Sequence, residues 1–159
     1  MNVHGPPKSA DWSVANGSYY EDYPLDLDGD SIRILTIHPG SWADPVSGKQ
    51  HVAPLRVARY DALSYTWRRA SKIEAITMCG RAGFAVTANL YAALKRLRQH
   101  KVRTVWIDAI CVNQADFKER SAQVQLMKAI YSYAATVLCL AWTLQRHVIG
   151  DAQYRDLPS

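Results

Sequence analysis

Ile32, Ile34 and Ile37 lie in a β-branched run that stops at Pro39-Gly40, which predicts a strand followed by a turn. Ser41 to Pro54 has no sustained period and reads as loop. Tyr60 to Tyr65 predicts a second strand, Arg68-Arg69-Ala70-Ser71 a loop, and Ile73 to Cys79 a third strand ahead of a Gly80-Arg81-Ala82-Gly83 turn. Thr87 can cap a helix in which Leu90, Leu94 and Leu97 recur at helical spacing. Arg103 to Ile107 reads as a strand and Asp116 to about Tyr133 as a helix with Val124, Met127, Tyr131 and Ala134 on one apolar face. Thr136 to Leu140 is the last apolar strand. Late strands that alternate with helices imply parallel pairing and an α/β fold: a layered sheet, largely parallel in its later strands, flanked by helices.

Periodicity fails at both ends. Residues 1–25, rich in Gly, Pro, Ser and Tyr, read as an extended or loosely docked arm on which Tyr19, Tyr20 and Tyr23 are the candidates for packing. Residues 26–142 form the expected domain and 143–159 an irregular tail. A chain of 159 residues with 48% hydrophobic side chains can bury one core. No apolar run reaches the eighteen or so residues of a membrane span, and the first residues lack the basic start and apolar stretch of a secretory signal, so a soluble, cytoplasmic protein is expected.

The formal charge of +5 is unevenly spread. Residues 1–30 hold six acids against Lys8, whereas residues 75–107 hold six Lys or Arg and no acid. The cluster Lys95, Arg96, Arg98, Lys101 and Arg103 could face an acidic partner, although cations at the end of a helix also suit the helix dipole. With no nucleic-acid module and no interleaved aromatics, a nucleic-acid partner is disfavoured. The cysteines, Cys79, Cys111 and Cys139, are odd in number and form no Cys-x-x-Cys pair, which argues against disulfide scaffolding and structural zinc. Cys111 alone stands beside a polar turn and is the one candidate thiol nucleophile.

That turn is the chemically richest stretch. The strand Val105-Trp106-Ile107 ends at Asp108, and Asn113, Gln114, Asp116, Glu119 and Gln123 follow, which concentrates polar groups where open α/β sheets place ligand crevices. Asp108 reads first as an acceptor of turn amides that organises Asn113 and Gln114, as most loop Asp residues do, and otherwise as a candidate for acid/base work or ligand contact. Glu119 is the second candidate carboxylate. Asp116-x-x-Glu119 also has the spacing of a capping box, in which Glu119 reaches back to the cap amide. Gln123, one turn later, could pair with Glu119 toward a cleft. Ser64, Tyr65 and Trp67 make up the other candidate contacts. Ser64 lacks the Gly-x-Ser-x-Gly elbow of a hydrolase, and Tyr65 and Trp67 could stack on a planar ligand or simply pack. No Gly-x-Gly-x-x-Gly, P-loop or His-Glu-x-x-His occurs.

Tyr60-Asp61-Ala62-Leu63-Ser64-Tyr65-Thr66-Trp67, Val105-Trp106-Ile107-Asp108-Ala109-Ile110-Cys111-Val112-Asn113-Gln114 and the helix after it together resemble the heterokaryon-incompatibility (HET) domain of filamentous fungi. The likeness begins near Tyr23-Pro24-Leu25 and ends around Leu140. It implies a role in fungal non-self recognition, vegetative incompatibility and programmed cell death. HET domains in turn resemble TIR domains, many of which cleave NAD with a glutamate through an oxocarbenium-like state. On that analogy the fold is TIR-like or flavodoxin-like, and the catalytic glutamate would lie after the last strand. This chain has no Glu beyond Glu119, which leaves Glu119 or Asp108 as substitutes. Two further departures are Arg68, where the family has Gly after the Trp, and the ending after Trp142, where the family continues, so a truncated or minimal domain is expected. The resemblance leaves three functions open: a signalling or assembly module that binds protein partners or itself, an NAD-cleaving effector with NAD as substrate and no cofactor, and an inactive fragment.

Overall fold

The computed structural model describes residues 16–64 and 72–139 and the backbone of residues 154–156. A short helix α1 (Gly17–Tyr20) leads to strands β1 (Ser31–Ile37), β2 (Ser47–Pro54), β3 (Asp61–Ser64), β4 (Ile73–Met78) and β5 (Arg81–Thr87). Helix α2 (Ala88–Gln99), strand β6 (Thr104–Trp106), the one-turn helix α3 (Asp108–Cys111), the long helix α4 (Phe117–Tyr133), β7 (Val137–Cys139) and β8 (Tyr154–Asp156) follow. All eight strands form one mixed sheet in the order β5-β4-β2-β1-β6-β3-β7-β8. Its second half, β6-β3-β7-β8, is parallel throughout, as the alternation of late strands and helices predicts. Both long helices start where expected: the Thr87 side chain accepts the Leu90 amide at 3.2 Å, and Asp116 accepts the Lys118 and Glu119 amides at 3.0 and 3.1 Å.

Four expectations are corrected. The stretch expected as loop carries β2, paired with β1 from Gly48 to Pro54. Its inward positions are Gly48 and Gln50, so a strand with a buried side gives no apolar alternation. The expected four-residue turn is the tight pair Cys79-Gly80, both at positive φ, between Met78 and its register partner Arg81, and β5 starts at once. The arm is not loosely docked over residues 16–20: Asn16 bonds both ways with Ala85, and Tyr19 and Tyr20 lie edge-on to Phe84 in the core. Tyr154–Asp156, within the tail expected to be irregular, pairs with β7.

Gly48 of β2 pairs with Ile37 and lies close against β1. A Cβ there would lie 2.7 Å from the Thr36 carbonyl oxygen and 2.9 Å from Leu35 Cδ1. Gly48→Ala is therefore expected to cost about 1–3 kcal/mol, opposite in sign to the usual entropic gain of replacing glycine. Thermal unfolding followed by circular dichroism checks this, and a melting temperature unchanged or raised would reject it.

Candidate functional site

Parallel pairing of β6, β3 and β7 brings their carboxyl ends to one edge, where Ser64 ends β3 and Asp108 follows β6. Tyr65 and Trp67 lie outside the described residues. Past Asp108 the chain makes the single turn of α3, crosses residues 112–116 and enters α4, which carries it over to β7. Between this crossing and α4 opens a cleft of about 240 Å³, lined by Asp108, Val112, Gln114, Arg120, Gln123, Val124 and Met127. Of the expected polar residues, Asp108, Gln114 and Gln123 line this cleft, and Asn113 and Glu119 do not.

Glu119 is engaged elsewhere than at the cap amide. Glu119 is 5% exposed and forms a two-pronged ion pair with Arg33, itself 1% exposed. Oε1 also accepts the Asn113 amide at 2.7 Å. The capping box is therefore only half made: Asp116 caps the helix, while Glu119 turns inward instead of back to the cap amide, which bonds to the Asn113 carbonyl. Arg33 donates further to the Tyr23 carbonyl from Nε at 2.7 Å and to the Cys111 carbonyl at 3.2 Å, and its guanidinium lies 4.7 Å from the Tyr20 ring centre. One buried cation thus ties β1 to the chain before it, to α3 and to α4.

Asp108 works locally as well as facing the cleft. Its Oδ1 accepts the Ala109 amide at 2.8 Å, and its carbonyl accepts Gln114 Nε2 at 3.0 Å. Asn113 Oδ1 accepts the Ala115 amide at 3.1 Å. Gln123 Nε2 donates to the Ser31 carbonyl at 3.2 Å, whereas its Oε1, also buried, has no partner among the described residues. Gln123 therefore does not pair with Glu119. Cys111 is fully buried between Val105 and Ile107, and burial pushes its thiol up to about 12, which removes it as a nucleophile at neutral pH. Among the described residues no cluster of His, Cys, Asp and Glu could hold a metal ion, and no helix is long and apolar enough to cross a membrane.

The basic cluster also splits. Arg98 is 4% exposed and donates to the carbonyls of Ser41, Asp44 and Pro45 at 2.7 to 3.0 Å, fastening the loop before β2. Lys95 lies over the Trp42 and Tyr91 rings, at 5.1 and 5.3 Å. As a free contact surface this face is smaller than its charge count suggests.

Residues 60–156 match the sequence model of the family described as Heterokaryon incompatibility protein (HET). The chain belongs to the heterokaryon-incompatibility family. It is 34% identical over 141 residues to heterokaryon incompatibility protein 6, OR allele, of Neurospora crassa, an alignment that takes in 79% of this chain and spans about a fifth (21%) of that relative. No solved structure matches. The matched HET segment runs from β3 to β8 and holds Asp108, Glu119 and Gln123, but Arg33, which neutralises Glu119, precedes it. Sequence reasoning missed Arg33. A charged residue between Ile32 and Ile34 in an otherwise apolar strand was the available signal, because a buried cation needs an anion.

Proposed function

We propose that this chain is the HET module of a fungal non-self-recognition protein, acting in vegetative incompatibility and the cell death that follows it, and that it works through protein contacts and not through chemistry of its own. Family membership supports the setting. The observation that carries the mechanism is the state of Glu119, which is not in the lining of the cleft and whose two oxygens are taken by Arg33 and the Asn113 amide. A carboxylate that stabilises an oxocarbenium-like centre must touch the sugar, and one so enclosed would have to break a buried ion pair first. The cleft, at about 240 Å³, is also smaller than the usual 300 Å³ or more of small-molecule sites.

A second reading, an NAD-cleaving effector, rests on Asp108 in the lining of this cleft, together with Gln123, whose buried Oε1 has no partner among the described residues. NAD consumption by the purified chain, measured over a wide concentration range beside Asp108→Asn, separates the two. The expected result is no NAD loss from either protein. Turnover abolished by Asp108→Asn in a folded variant would overturn the module reading and make Asp108 the stabilising carboxylate.

A further inference from the structure

The apolar positions of α4 do not all face the core. Its buried edge is Glu119, Gln123 and Ile130, and Met127 and Tyr131 pack only at the margin. Phe117 and Val124, a heptad apart and roughly 130° around the helix from the centre of that edge, are 71% and 58% exposed. The charges beside them are mainly basic, with the exposed capping acid Asp116 next to Phe117. Lys118, Arg120 and Lys128 are exposed, while the sole acid of the helix, Glu119, is buried against Arg33.

A surface of opposite character lies on the same molecule. Residues 16–30 contain five acids and no Lys or Arg, and Glu21, Asp22, Asp26 and Asp28 are exposed, with Leu27 39% exposed among them. This segment runs beside the buried edge of α4, as the bonds from Arg33 to the Tyr23 carbonyl and from Gln123 to the Ser31 carbonyl show. Among the described residues no ion pair joins the two patches within one molecule, the pairs present being Arg33–Glu119 and Lys72–Glu74.

From this juxtaposition we infer that the occupant of the α4 face is a second copy of the chain: Phe117 and Val124, flanked by Lys118, Arg120 and Lys128, receive Leu27 and the acidic segment of the other copy. Neighbouring patches of opposite charge suit a two-fold pairing, in which each contact is made twice. The apolar side chains supply affinity, and the exposed charges supply register and salt dependence. The inference rests on the module reading and names its partner.

Sedimentation velocity from low micromolar to near-millimolar concentration, at low and high salt, tests it. Association is expected that weakens with salt. Lys118→Glu with Arg120→Glu in one protein, and Asp22→Lys with Asp28→Lys in another, are each expected to weaken it at least about tenfold while melting as the parent does, and mixing the two is expected to restore it. A monomer at every concentration overturns the inference. So does association that ignores both reversals, a mixture that fails to recover, or a monomer that binds phosphatidylserine vesicles instead. Because this experiment reads assembly and NAD consumption reads chemistry, a monomer that leaves NAD intact removes the second-copy partner without touching the module reading.

Discussion

Glu119→Gln is expected to cost about 3–5 kcal/mol of folding stability, far more than the roughly 1 kcal/mol of a lost helix cap. The substitution keeps the size of the side chain but leaves the Arg33 guanidinium, 1% exposed, without a counter-ion and sets an amide donor against its N–H groups. The Asn113 amide can still find an oxygen, so the loss falls mainly on the cation. Urea unfolding gives the number from the midpoint at constant slope. Arg33→Met combined with Glu119→Leu is expected to recover part of the loss, since no charge is then buried alone. Recovery should stay incomplete, because the Tyr23 and Cys111 carbonyls and the Asn113 amide lose partners together. A loss below about 1 kcal/mol for Glu119→Gln would mean that the ion pair contributes no more than a cap. A consequence for assays is that Glu119→Gln confounds activity with folding, which makes Asp108→Asn the informative change.

Elements that declare themselves locally were legible in the sequence. The β-branched run of β1, the caps Thr87 and Asp116 and the helical leucines of α2 needed only neighbours in the chain. What stayed hidden depends on distant partners. In β2 the buried positions are Gly48, chosen for close approach to β1, and Gln50, whose Nε2 donates to the Ile110 carbonyl sixty residues away at 3.0 Å. Along α4 the apolar periodicity points to Val124, yet the core side of the helix is set by Glu119 and Gln123, because their partners Arg33 and Ser31 lie on and beside β1. Of the polar turn and the helix after it, Asp108, Gln114 and Gln123 line one cleft. The role of Glu119 could not be read there, because an ion pair spanning 86 positions leaves no trace in local spacing.

Raising the pH is the second large perturbation. Burial raises the Cys111 thiol from 9.0 to about 12, with the nearby Asp108 charge adding to the rise and Arg33 opposing it. Below pH 9 the thiol is protonated in both folded and unfolded chains and has no effect on the balance. Between about pH 9 and 12 the unfolded chain releases this proton while the native one retains it, so the unfolded state gains and stability falls by up to about 1.4 kcal/mol per pH unit. Above pH 10 the tyrosines join in the same direction: burial lifts Tyr131 from 10.0 to about 12, and Tyr20 and Tyr60 are raised further by burial as well. The window from pH 9 to 10 therefore isolates the thiol from these tyrosines. Urea unfolding at pH 8, 9 and 10 is expected to show a loss that steepens above 9, and Cys111→Ala, though less stable at pH 8, is expected to flatten that slope. Equal slopes in the two proteins would assign the alkaline loss to groups other than Cys111.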